Sequence, residues 1–249
     1  MSTDGRRSPG DSRRVVARLS AEFAIIFIGV VLAFQFEDWR DRRNDRVREG
    51  EQLAALLSDF TINRDLLNQT VEAQGWVRDA LGLWLPAVSG APREVSLDSL
   101  GRAYPWAISW YGEETVSGAW DALLGSGDAG LISNPDVRRR LAEFYGIVNS
   151  GFEDHDNEMD LLYGLQQLTR EQQGALLFSG TLRGLAPQRT EFDSLLVLEM
   201  LEFPGHSGLL GWKAVLADNR YTRLQWLAAS ADTISTILEA ELEARFGGS

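Results

Sequence analysis

The chain has 249 residues, 44% of them hydrophobic and 24% charged, with a net charge of −12 and no cysteine. A composition of this kind belongs to a folded protein, and its negative balance argues against a nucleic-acid partner, whose phosphates need clustered cations. The missing thiols exclude disulfides, thiol catalysis and Cys-ligated metal. Only His155 and His206 remain for any histidine-based chemistry, and Lys213 is the sole lysine.

Residues 1–14 are rich in Ser, Gly, Pro and Arg and are expected to form a disordered basic tail. Residues 15–38 are expected to form a transmembrane anchor. From Phe23 to Phe34 no side chain is polar, and extension to Leu19 and Phe36 admits only Ser20, Glu22 and Gln35. As a helix this stretch measures roughly 27 Å, close to the roughly 30 Å hydrocarbon core of a bilayer. Trp39 follows where an interfacial aromatic belongs. The run leads into Gln35-Phe36-Glu37-Asp38-Trp39, with no small-residue cleavage site, so the anchor is expected to stay uncleaved. The alternative is a buried core helix. It suits the run less well, because the stretch is apolar on every face and has charged segments on both sides.

Arginines flank both ends of the run. Acids dilute the second cluster, which favours a cytoplasmic N-terminus and an extracytoplasmic domain in the bacterial inner membrane. Gly29 and Ala33 lie four apart and allow close approach of a second copy, with Gln35 available to hydrogen-bond across the contact.

Residues 39–85 are expected to form a helical stem, since Leu53, Leu57, Phe60, Leu67, Val71, Leu81 and Leu85 recur largely at three- and four-residue steps. Gly50 and Gly75 are its candidate bends. Residues 86–249 are expected to form a helical domain that packs with the stem. Within it, Pro86–Ser96 is a loop, Ser96 caps a short helix that Pro105 ends or kinks, and a helix spans Glu113–Leu124. Ser133-Asn134-Pro135-Asp136 supplies an N-cap, an N1 proline and a first-turn acid in the order a helix start requires. The helix that follows carries Val137, Leu141, Phe144, Ile147 and Val148 on one face, and helical spacing resumes through Met159, Leu162, Leu165 and Leu168. Two further helices are predicted near Glu191–Phe203 and Leu209–Phe246. The fold class is therefore all-α, an N-terminal transmembrane helix continuing into a stem and a helical bundle.

Glu22, Ile28-Gly29, Ala33, Gln35 and Trp39 spell an E-x5-IG-x3-A-x-Q-x3-W pattern. It resembles the anchor of an uncharacterised bacterial family of single-pass membrane proteins, a domain of unknown function. A second block, Thr115, Trp120, Leu123, Ser126-Gly127, Leu131-Ile132, Asn134, Arg138, Leu141 and Tyr145, is similar to that family's short helix, Ser-Gly turn and following helix. Glu37-Asp38 stand where the family usually has asparagines. The resemblance covers about the first 150 residues and implies placement and fold but no activity.

Four patterns suggest chemistry, each set against a plainer role. Gly125–Gly130 spells G-x-G-x-x-G, but a helix precedes it where a dinucleotide site needs a strand, so a helix-to-helix turn is expected. Within the acidic run Glu153–Asp160, His155 and Glu158 share a helical face and are the candidate metal ligands; the plainer role is a solvated acidic face. Gly205-His206-Ser207-Gly208 departs from a nucleophile elbow at Leu209, and Ser207 is expected to cap the last helix instead. Arg138-Arg139-Arg140 spreads its charges around a helix and is expected to be solvated. The aromatic cluster Tyr104, Trp106, Trp110 and Tyr111 is expected in the core, with a partner-binding patch as the alternative.

No cofactor and no catalytic residue are expected. The expected partners are a lipid bilayer, a second copy through the Gly29/Ala33 face or the stem, and a further protein. The function that follows is an interaction, sensing or scaffold module of the bacterial envelope. The alternatives are a carboxylate-based enzyme, with or without a metal, centred on Glu153–Asp160 and a structural homo-oligomer.

Overall fold

The computed structural model describes residues 9–92, 94–171 and 194–247, with the backbone alone for residues 9–21, 24–25, 168–171 and 194–196. Among the described residues every regular element is a helix: α1 (Pro9–Val88), α2 (Leu97–Ala107), α3 (Gly118–Gly125), a 3₁₀ turn (Asp128–Leu131), α4 (Pro135–Ser150), α5 (His155–Glu171), α6 (Ser194–Glu202) and α7 (His206–Phe246). The all-α class is therefore correct. The chain divides into two compact units, Met1–Gln52 and Leu53–Ser249.

In the first unit α1 opens at Pro9, whose fixed φ suits a first helical turn, so residues 9–14 are helical where a disordered tail is expected; residues 1–8 lie outside the described set. Phe23, Ile26, Phe27, Ile28, Val30, Val31, Leu32, Phe34 and Phe36 are all exposed, between 37% and 72%. Among the described residues no helix is long and apolar enough to cross a membrane. Leu19, Ala24 and Ile25 of the expected span lie outside the described side chains. Gly29 has nothing within 4 Å of where a Cβ would stand, so its face is open.

The second unit is organised by the rest of α1 and by α7. The buried positions on α1 include Leu53, Leu56, Phe60, Asn63 and Leu67, followed by Gln74, Val77, Leu81 and Trp84; on α7 they include Leu210, Lys213, Ala217, Arg220, Leu224, Leu227, Ala231, Ile234 and Leu238. The α7 series advances by alternating steps of three and four, and so does the α1 series save for one step of seven between Leu67 and Gln74, the seam spacing of two helices packed lengthwise. Leu53 shares a core with Leu238, and Trp84 shares one with Leu210, so the pair runs antiparallel. Neither Gly50 nor Gly75 interrupts α1, and a Cβ at Gly75 would stand in ordinary contact with the Tyr221 ring, at 3.8 Å.

Two apolar cores lie along this pair. One joins α1 near Trp84 to α2, α5 and α6, and the other joins α1 near Phe60 to α3 and α4. Asn134 caps α4 as expected, its Oδ1 accepting from the backbone N–H groups of Asp136 and Val137 at 2.9 and 3.4 Å. Val137, Leu141 and Phe144 are buried beneath it. Ser96 likewise accepts from the Ser99 N–H at 3.1 Å and caps α2.

Other boundaries differ from the sequence expectation. α1 carries Pro86 in its last turn and ends at Val88, and α2 continues through Pro105 to Ala107. Residues 113–117 are not helical, and the backbone of Val116 bonds to side chains of α1 and α4 in place of a helical ladder. α7 begins at His206 after Gly205, whose φ of 89° reverses the chain, so Ser207 lies inside the helix and is not its cap. Leu168 lies outside the described side chains, and Glu191 lies outside the described residues.

Candidate functional site

The seam of α7 contains two positions that an apolar core does not accept unaided. Lys213 and Arg220 are 0% and 1% exposed. An isolated buried cation costs far more than a fold can supply, so each must find a carboxylate. The partner is Glu158 of α5, itself fully buried. Lys213 Nζ donates to one of its oxygens at 2.5 Å, and Arg220 Nε donates to the other at 2.7 Å. Burial lowers the Lys213 pKa from its ordinary value, while the charge and hydrogen bond of Glu158 act to raise it.

The cluster extends through Glu113, which sits in the non-helical strap between α2 and α3. Glu113 Oε1 accepts from Arg223 Nε at 2.9 Å, and its Oε2 lies 3.7 Å from Arg220 Nη1. That Oε2 is buried without a hydrogen-bond partner. Arg223 also donates to the Ile147 carbonyl at 2.6 Å, which ties the C-terminal part of α4 to α7. The Arg220 guanidinium lies over Phe152 and Trp110, 4.1 and 5.2 Å from the two ring centroids. Its Nη2 is 3.5 Å from His155 Nδ1. Flat aromatic faces of this kind favour a guanidinium over an ammonium.

His155 and Glu158 therefore share an inward face, as their spacing predicts. Both Glu158 oxygens, however, are engaged by cations of α7. An ammonium and a guanidinium at this distance repel a divalent ion, and among the described residues no group of three His, Cys, Asp or Glu side chains is placed to hold one. Glu153, Asp156 and Asp160 are exposed, so the acidic run divides into a solvated face and one buried anion.

The strap is held from α1 by amide side chains. Asn63 pairs with both backbone groups of Val116, donating to its carbonyl at 2.9 Å and accepting from its N–H at 2.6 Å. Gln74 accepts from the Tyr111 N–H at 3.3 Å and donates to the Ala217 carbonyl at 3.2 Å. Asp59 accepts from the Ala119 N–H at 2.8 Å, and the Tyr145 hydroxyl donates to Val116 O at 3.2 Å. Burial, then the negative charge of Asp59, raises the Tyr145 pKa, which keeps that hydroxyl a donor. Of these residues Gln74 falls between the two apolar cores, after Leu67 of one and before Val77 of the other.

His206 is buried elsewhere, in the core near Trp84. Its Nδ1 lies 2.6 Å from Met200 O and so carries the proton, leaving Nε2 to accept from the Tyr104 hydroxyl at 3.2 Å. Burial lowers its pKa, and the ring serves as a neutral link between α2, α6 and α7. No nucleophile elbow forms, since a helix precedes the motif and His206, Ser207 and Gly208 are the first residues of α7.

The aromatic cluster divides in the same manner. Tyr104 is in the core, Trp106 meets Trp76 edge-on at 5.0 Å, and Trp110, 38% exposed, covers Arg220 and His155. In the glycine-rich run, Gly127 adopts a φ of 75° between α3 and the 3₁₀ turn, which is the helix-to-helix connection expected. Arg138 donates to the Ile132 carbonyl, and Arg139 pairs with Asp136 at 3.1 Å.

No protein-family model matches the chain, and no curated protein or solved structure matches it either.

Proposed function

We propose that the chain is a single-pass protein of the bacterial inner membrane whose helical domain acts through protein contacts, as an interaction, sensing or scaffold module. Leu19–Phe36 crosses the bilayer, the N-terminus is cytoplasmic and the C-terminal domain is extracytoplasmic. The observation that carries this reading is the apolar sleeve on α1, where nine large side chains from Phe23 to Phe36 are exposed on successive faces. Burying a side chain of that size stabilises by about 1.5–3 kcal/mol. A sleeve of this extent demands an apolar surrounding, and lipid supplies it on all faces at once. The resemblance of the Glu22–Trp39 pattern to an uncharacterised family of membrane proteins points the same way.

The second unit supports a role in contacts. Its buried charges are matched with one another and lock α5, α7 and the strap together. A reporter active only outside the cytoplasm, fused after Ser249 in cells that are then fractionated, tests both placement and orientation. Activity in the membrane fraction is the expected result. Recovery of the chain in the soluble fraction would overturn the anchor, and a silent reporter in membranes would reverse the orientation.

A further inference from the structure

Residues 109–117, the strap between α2 and α3, have no regular structure. Among the described residues, no backbone group from 110 to 116 bonds to another backbone group. The tethers are side chains instead: Gln74 at the Tyr111 N–H, Asn63 and Tyr145 at Val116, and Arg223 at the Glu113 carboxylate. A segment held in this way can leave its seat without unwinding a helix. Beneath it the cluster sets Lys213, Arg220 and Arg223 against Glu158 and Glu113, one positive charge more than the carboxylates cancel. Glu113 also fits its seat incompletely. One oxygen accepts from Arg223, whereas the other, buried without a hydrogen-bond partner, lies 3.7 Å from Arg220 Nη1. A carboxylate set squarely between two guanidinium groups accepts from both. Trp110 covers the cluster, its ring lying over Arg220 and folding back across Gly112, where a Cβ would stand 2.8 Å from it.

We propose that the strap is a displaceable plug, and that Arg220 and Arg223 form a carboxylate-binding site which Glu113 occupies from within the chain. An incoming carboxylate replaces Glu113 and accepts from both guanidinium groups, whose fixed donor forks suit a planar anion. The excess positive charge of the cluster favours an anion over any other ligand. Phe152, outside the strap and 4.1 Å from the Arg220 guanidinium, stays behind as a flat wall of the site. Glu113 and Trp110 leave with the strap, so occupancy is passed to the ends of α2 and α3. The proposal rests on the sensing reading of the second unit and is independent of where the first unit lies.

Hydrogen exchange of the full chain in detergent, followed over residues 109–117, tests the plug. A ligand that binds only the open strap multiplies the open population by one plus the ratio of its concentration to its Kd. Sodium acetate should therefore speed exchange at Tyr111 and Val116 in proportion to its concentration, relative to sodium chloride at the same ionic strength and pH, while the amides of α4 and α7 stay unchanged. A short peptide of glutamates, run in parallel, separates the sources: a response to acetate assigns a free carboxylate, and a response to the peptide alone assigns an acidic side chain of a partner protein. Glu113→Ala vacates the seat, and acetate should raise the melting temperature of that variant above its value in chloride. If neither acetate nor the peptide accelerates exchange in the strap, the proposal is overturned, whether or not the variant folds. A folded Glu113→Ala chain that acetate does not stabilise would overturn it as well. Either failure leaves the membrane placement, which the reporter fusion tests, untouched.

Discussion

Replacing Glu158 with Gln removes the carboxylate that faces both buried cations of α7 while keeping the size of the side chain. Arg220 retains Glu113 at 3.7 Å, but Lys213 loses the only carboxylate that it contacts among the described residues. Breaking a buried pair in this way costs about 3–5 kcal/mol. The upper end has a physical limit, because the ammonium can shed its proton, and doing so at pH 7 costs an ordinary amine about 5 kcal/mol.

Urea unfolding of the full chain in detergent, followed by tryptophan fluorescence, should therefore show a loss of about 3–5 kcal/mol for Glu158→Gln. Adding Lys213→Met should recover much of that loss, because the stranded charge is then gone. The penalty should also shrink as pH rises. A Lys213 whose folded pKa is depressed binds fewer protons folded than unfolded, so stability climbs through the alkaline range up to the ordinary lysine value. A loss below about 1 kcal/mol, the scale of an exposed pair, would refute the reasoning. Additive effects of the two substitutions would refute it as well.

Three further outcomes follow from the same structure. Asn63→Ala removes both hydrogen bonds to Val116 and leaves its N–H unsatisfied while its carbonyl keeps the Tyr145 hydroxyl, for a loss of about 1–3 kcal/mol, and limited proteolysis should cut the variant first between residues 109 and 117. His206 has a lowered pKa in the fold, so the unfolded chain takes up a proton first on acidification. Stability should be full above about pH 6.5 and fall as pH drops from there toward the folded value, and His206→Gln should lose that part of the slope in a melting series. Val30→Arg places a charge in the middle of the sleeve, where insertion scales assign a penalty of about 2.5–3.5 kcal/mol, and should shift the chain out of the alkali-resistant membrane fraction; unchanged retention would count against a spanning segment.

Much of the helical order can be read from local chemistry. Asn134 followed by Pro135 fixes the start of α4 because the cap and the proline act within one turn, and Ser96 does the same for α2. The turn at Gly127 is legible because a left-handed φ suits glycine and the flanking segments are helical. The strict alternation of three and four along α7 is also present in the sequence, but Lys213 and Arg220 occupy seam positions and hide it from a search for apolar residues alone. A lone lysine at an inward spacing, in a chain that otherwise uses arginine, is the signal by which the cluster was open to detection.

The sequence by itself determined the helical class, several caps and turns, and the apolar run of α1, since each depends on residues within a few positions of one another. Only the tertiary structure decided that Glu158 answers Lys213 and Arg220, that Glu113 joins Arg223, and that Asn63 and Gln74 hold the strap. Those pairs lie between 37 and 143 residues apart in the chain. Periodicity fixes which face of a helix turns inward, whereas the charge that meets a buried group depends on how separate helices stack.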